Sequence, residues 1–406
     1  MLPAAASTAL HRAGHAVTVL ERAGELRETG AGIGIMPNGV LALDALGLGG
    51  PVRERAAPFA EGGIRDRHGR ALLATDRSAL RDLVGAPVTV LTRPWLHRLL
   101  AAALPAGTVV TGRAVTALRE GPTGVEIDGH RTDVAVVADG AGSRLRAALF
   151  PAHPGLRRSG ESAARSVATG VPADLPLAPG ELLDHRTGDR FGCMPMSDGG
   201  VYWYATWRDT APDDPPARHR WLRERRADWH PCAAALIDAT APEAVHVVQT
   251  AQLARPLPAL AVGRVALLGD AAHAMTPDLG QGACQAFEDA VALGAVLTGA
   301  GPAEAPAALA RYDALRRPPH ERAPAAGRAG EPRAGPPRTG GPDPGRGAPA
   351  RPGGAVHEGA GRAAGLHAAA GPHPSRSKAT FPQRDRVKVA LLQRRGGWGQ
   401  RSPMPT

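Results

Sequence analysis

At 406 residues and 43% hydrophobic, the chain is long enough for one large or two ordinary domains around a real core. Its net charge of +10 would suit a nucleic-acid partner, but 15 of the 48 Lys and Arg and 5 of the 38 Asp and Glu lie beyond Arg317. The body is therefore neutral, and nucleic acid is excluded as its expected partner.

In chain order, LPAAASTALHRAGH (2–15) reads as an Ala- and Leu-rich helix closed by Gly14. AVTVLER (16–22) is apolar and β-branched, the pattern of a buried parallel strand. Residues 35–48 and 94–104 have helical spacing, the second starting with a first-turn proline. A hairpin feeding a buried strand is predicted over 124–140, and 181–208 alternate as a sheet. After Arg264 a short buried strand precedes a helix from about Gly282 to Leu297. Parallel-type strands, helices and an inserted antiparallel sheet predict an α/β fold, a nucleotide-binding domain with a substrate sheet.

Beyond Arg317 the texture changes. From Pro318 to Pro374 the only branched aliphatics are Val356 and Leu366, and Pro and Gly dominate. Such a segment cannot offset its ordering entropy, so a disordered tail is predicted over 318–406. Its Arg, Pro, Gly and Ala come from GC-rich codons, which favours a frameshift product over a native tail. A nucleic-acid-binding tail is the least favoured, because no aromatic residue interleaves its charges before Phe381. Cys193, Cys232 and Cys284 are too scattered for a disulfide framework or a metal site, and a reducing cytoplasm is expected. No apolar run of about 18 residues predicts a membrane span, and no basic leader predicts a signal peptide.

Three motifs carry chemistry, and a fourth imitates one. Glu21 ends a strand, where an acid accepts hydrogen bonds from a nucleotide ribose, about 20 residues after the last glycine of a G-x-G-x-x-G loop. Counting back places that glycine at or before residue 1, so the first strand and phosphate loop are expected to be missing. TGAGIGIMPNG (29–39) imitates the fingerprint but comes after the acid; its glycines suit close approach to a ligand or a strand. Asp139-Gly140 follows a buried strand, with Ser143 and Arg146 completing D-G-x-x-S-x-x-R. Asp270 follows another, and Gly280, Gln281 and Gly282 open a helix whose N-terminal dipole favours negative charge. Pro277 stiffens that turn, and His273 reads as a structural turn residue.

ELRETGAGIGIMPNGVLALDALGL, TRPWLHRLL, VVADGAGSRLR and GRVALLGDAAHAMTPDLGQGACQAFEDAVAL together resemble the FAD-dependent aromatic hydroxylases of the para-hydroxybenzoate hydroxylase-like class, nearest to the salicylate, 3-hydroxybenzoate and urate branches. The resemblance covers about residues 2–317. It implies a Rossmann-like FAD-binding domain, its first strand and glycine loop missing, with an inserted β-sheet substrate domain. The expected division is 1–64 and 88–155 for FAD, 65–87 and 156–262 for the substrate sheet, and 263–317 for a closing segment. The implied activity is monooxygenation of a small aromatic or heteroaromatic compound with NADH or NADPH and O2, through a flavin hydroperoxide.

By the same resemblance, Glu21 and Arg22 lie at the adenosine ribose, and Gly34 and Arg93 approach the FAD. Val115, in an expected strand GRAVTAL, lies near the adenine. Asp139 belongs to a shared FAD and NAD(P)H motif, and Asp270 holds the ribityl–diphosphate region. Gly280, Gln281, Gly282 and Ala283 line the flavin, and Arg190 and Tyr202 match substrate positions of the urate branch. No protein acid or base is assigned as catalytic. Without the phosphate loop an unpaired sheet position and poor FAD binding are expected. The alternatives are another flavin reaction, such as epoxidation or a reductase step, and a non-catalytic remnant with a basic tail. Halogenation is disfavoured, because residues 1–317 contain no lysine.

Overall fold

The structure, a computed structural model, describes residues 2–25, 31–55, 57, 61–329 and 388–393. The N-terminal part runs α1 (Leu2–Arg12), β1 (Ala16–Glu21), β2 (Gly32–Ile35), α2 (Pro37–Ala45) and α3 (Gly49–Glu54). It continues as β3 (Glu61–Asp66), β4 (Ala71–Asp76), α4 (Arg77–Val84), β5 (Thr89–Thr92) and α5 (Arg93–Ala102). Short strands β6 (Val109–Val110), β7 (Leu118–Gly121), β8 (Gly124–Ile127) and β9 (His130–Thr132) lead to β10 (Val134–Ala138) and α6 (Arg144–Leu149).

The middle of the chain holds β11 (Leu156–Ala168), β12 (Gly180–Leu183), β13 (Arg190–Pro195) and β14 (Val201–Trp207), then α7 (Pro215–Glu224), α8 (Pro231–Asp238) and β15 (His246–Leu253). The last part comprises β16 (Ala261–Val262), β17 (Val265–Leu267), α9 (Asp270–His273), α10 (Gly282–Leu297), α11 (Ala305–Ala329) and β18 (Lys388–Gln393).

Two large sheets organise these elements. The first has the order β16-β17-β10-β18-β1-β6, with every pair parallel except β16 with β17. Its central strands are continuous apolar runs because both faces are covered: VAVVA of β10 is buried throughout. α1 and α10 pack together against this core, with Leu10, Ala5, Phe287 and Leu293 fully buried.

The second sheet has the order β15-β11-β14-β13-β12-β3-β4. Its alternation gives it two different faces. Ala164, Phe191, Cys193, Trp203, Ala205 and Trp207 pack under Leu222, Cys232, Leu236 and Ile237 of α7 and α8. The opposite face carries Arg165, Val167, Arg190, Met194, Tyr202 and Tyr204, and the β2–β5 ribbon lies against it.

One expectation is overturned at the far end of the chain. The tail beyond Pro318 was expected to lack structure, yet α11 continues to Ala329 and KVALLQ (388–393) forms β18. The remainder of that segment lies outside the described residues. β18 is an apolar, β-prone run whose signal is diluted by its Pro/Gly-rich surroundings, and its stability comes from two waiting neighbours, β1 and β10. The sheet position beside β1 is accordingly paired, not open.

Candidate active site

β1, β10, β17 and β18 run parallel, so Glu21, Asp139, Asp270 and Gln393 lie at or just after the same carboxyl edge. That edge is where open α/β sheets collect their ligands. Glu21 is buried, and its Oε1 accepts the Ala23 N–H at 2.6 Å. The Arg113 N–H donates to the Glu21 carbonyl at 2.9 Å, which brings half-buried Val115 close by. Residues 113–117 form a connection, not the strand expected there; pairing starts at Leu118 because the intervening residues are mostly exposed. Arg22 is exposed beside Glu21.

Asp139 is buried, and its Oδ1 has no hydrogen-bond partner. Burial holds its carboxyl above the usual carboxylate range, against the opposing pull of the Ser143 hydroxyl, backbone amides and the Arg146 charge. Ser143 caps α6, its Oγ accepting the Arg146 N–H at 2.9 Å. The buried Arg146 guanidinium donates to the carbonyls of Ala141 at 2.6 Å, Asp270 at 3.3 Å and Ala271 at 3.2 Å. The D-G-x-x-S-x-x-R spacing is therefore one unit: the serine caps, and the arginine ties this loop to the Gly-Asp segment.

Gly269 turns the chain out of β17 at φ 61° and ψ −140°, a conformation that requires glycine, and places Asp270 first in α9. The fully buried Asp289 holds that turn: it accepts from the Gly269 N–H at 3.0 Å, from His273 Nε2 at 2.6 Å and from Arg316 Nε at 2.8 Å. His273 is thus a buried structural residue. A 3-10 turn at Pro277–Leu279 and left-handed Gly280 lead to Gln281, the N-cap of α10, which makes no side-chain cap. The opening amides of this helix, at Gly282 and Ala283, have no capping side chain. Gln281 instead exchanges hydrogen bonds with Asn38 at 2.9 and 3.2 Å. This joins the helix start to α2, directly after β2 and its Gly34.

Arg93 opens α5, its N–H donating to the Ala31 carbonyl at 3.1 Å, and its Nε is buried without a partner. Burial and then the neighbouring Arg165 charge push its pKa down to about 10, while Tyr202 and Asp270 oppose the fall. His246 is lowered by burial and by both arginines. Arg93, Arg165, Tyr202, His246 and Asp270 therefore share one electrostatic neighbourhood. An apolar cluster of Ala31, Val90, Met196 and Tyr202 lies beside it, with Val167, Met194 and Tyr204 packed around. Gly32 allows this junction, since a Cβ there would meet the Tyr202 ring at 2.5 Å.

Arg190 and Tyr202 share the inner face but not one spot. Arg190 pairs opposite Thr206 and Tyr202 opposite Met194, about 13 Å apart along the strands. Arg190 binds Glu161 at 3.0 Å and Asp278 of the 3-10 turn, so it joins the sheet to the turn before α10. Sequence reading missed Arg165, His246 and Asp278. The signal for Arg165 was present in β-alternation, which places it on the same face as Tyr202 and Tyr204.

The FAD binding domain family profile matches residues 4–325. Aurachin C monooxygenase/isomerase of Stigmatella aurantiaca is 37% identical over 322 residues, 76% of this chain and 80% of that protein. The FAD-dependent urate hydroxylase of Klebsiella pneumoniae is 32% identical over 328 residues, 77% of this chain and 82% of the relative. Among solved structures, Klebsiella pneumoniae HpxO complexed with FAD and uric acid is similar at a TM-score of 0.73 and 30% identity, covering 80% of this chain and 84% of that one. No helix among the described residues is long and apolar enough to cross a membrane.

Proposed function

The chain belongs to the FAD-binding monooxygenase family, whose members act on aromatic and heteroaromatic compounds, and on that premise we propose that it hydroxylates a small, anionic aromatic or heteroaromatic substrate. The observation that carries the substrate class is the pair of cationic residues Arg93 and Arg165 beside an aromatic, apolar cluster. Two guanidinium charges against the one Asp270 carboxylate named beside them favour a ligand that brings negative charge. Urate hydroxylase and 3-amino-4-hydroxybenzoate 2-monooxygenase among the relatives fit that chemistry.

The residues present fit the cofactor. Asp139 Oδ1 and Arg93 Nε are buried polar atoms without partners, and the α10 N-terminus lacks a side-chain cap. In this reading Glu21, with Arg22 and Val115 near it, holds the adenosine end. Asp139 and Asp270 hold the middle, and Gly280, Gln281, Gly282 and Ala283 present backbone to the ring, with Gly34 and Arg93 opposite. Pro277 fixes the turn before them. When bound, the flavin supplies the redox and oxygen chemistry, with NADH or NADPH as reductant and O2 as co-substrate.

The protein's part is positioning. Amides at the α10 start favour negative charge on what they face. Tyr202 and the apolar cluster exclude water from the aromatic ring, and Arg165 holds its anionic group. The Arg190 ion pairs keep the turn against the sheet, so Arg190 acts through the turn in this reading. Three free, buried cysteines agree with a reducing compartment, so a cytoplasmic location is part of the proposal.

Replacing Arg165 with Met tests the substrate class. The expected result is a 10- to 100-fold rise in KM for an aromatic carboxylate, on the order of one charged hydrogen bond, with kcat and the KM of a neutral analogue little changed. An unchanged KM for the carboxylate would remove the anion from the proposal.

A further inference from the structure

We propose that β18, which the far end of the chain contributes as the central strand of the nucleotide-binding sheet, is a required part of the cofactor site, so that tight FAD binding depends on its insertion. The inference rests on the FAD-dependent reading above. β18 pairs in parallel with β1 from Ala16↔Lys388 to Glu21↔Gln393, and with β10 from Val134↔Val389 to Ala138↔Gln393. Val389, Ala390 and Leu391 are buried in the main core, Leu391 completely. Among the described strands, no other one joins β1 to β10.

The register connects this strand to the chemistry. Gln393 stands opposite Glu21 on one side and opposite Ala138, the residue before Asp139, on the other. β18 therefore sets the separation of the two acids at two strand spacings, about 10 Å. It is also where the sheet order reverses: β1 leads outward to β6, while β10 leads outward to β17 and β16. Ligands of open α/β sheets bind outside the carboxyl ends of the strands at that reversal. With β18 withdrawn, β1 and β10 either present unpaired backbone edges or close on each other and halve the distance between Glu21 and the Asp139 loop. Both outcomes dismantle the crevice. A ligand that binds only the assembled sheet must in turn stabilise the inserted strand, since the two equilibria are linked.

The test uses the full chain in hydrogen exchange with and without FAD, beside flavin-fluorescence titration of Leu391→Asp and Leu391→Val. In the unmodified chain, amides of 388–393 are expected to exchange at least about 100-fold more slowly than an unstructured segment, in the same class as 134–138, and more slowly still with FAD. Leu391→Asp should abolish that protection and weaken FAD binding at least tenfold, while Leu391→Val keeps both. Rapid exchange at 388–393 beside a protected 134–138 overturns the proposal, as does wild-type FAD affinity in Leu391→Asp. An unmodified chain that protects 388–393 but binds no FAD overturns the cofactor reading, and with it the dependence proposed here, while the strand itself stands.

Discussion

At the carboxyl edge of the parallel sheet, Asp139 is a buried carboxylate whose Oδ1 has no hydrogen-bond partner. Its place after a buried strand was readable, and so were Ser143 and Arg146 at their spacings. The unpartnered Oδ1 was not, because it depends on how the following helix seats against the Gly-Asp segment. Asp139 and Glu181 are both held above the usual carboxylate range, in each case first by burial. Above about pH 4 the folded chain therefore keeps protons that the unfolded chain has released, so stability falls as pH rises through the folded pKa values. Asp139→Asn removes one such group without changing its shape. The apo variant is expected to be about 1 kcal/mol more stable than the parent at pH 7, with a flatter pH dependence in urea titrations between pH 4 and 7. Equal stability at neutral pH, with an unchanged slope, would show that the buried carboxylate costs nothing.

Among elements, the long periodic ones were legible: α1, α10 and the strands 201–207 and 134–138 follow directly from spacing and β-branching. The β2–β5 ribbon was not, because GIGI and TVLT are four residues each and meet across more than fifty residues of chain. GIGI forms one strand of this ribbon, and Gly32 serves close approach to Tyr202 of the other sheet. The turn that presents Asp270 depends on an equally non-local device, Asp289 of α10 held by Arg316 of α11. Replacing Arg316 with Met leaves a fully buried carboxylate short of its strongest partner, and should cost about 3–5 kcal/mol in chemical denaturation. The same variant should loosen FAD, because the Gly269 amide loses its fixed acceptor. A loss below about 1 kcal/mol would mean that His273 and Gly269 suffice to hold Asp289.

For the whole molecule, the neutral body, the two kinds of sheet and their order were visible in composition and alternation. The join between them was not. It consists of a glycine beneath a tyrosine ring, an arginine bridging β13 to the 3-10 turn, and a pair of cationic residues beside an apolar cluster. Each arises from residues distant in sequence, as does the central strand drawn from the chain's far end. The function proposed for this assembled site is the insertion of oxygen into an aromatic compound. The direct measurement is mass spectrometry of the organic product after turnover of the FAD-loaded full chain with NAD(P)H, an anionic aromatic substrate and 18O2. The expected result is a hydroxylated product carrying one atom of 18O. A product without label, or NAD(P)H consumption that yields only hydrogen peroxide across a panel of aromatic acids, would contradict it.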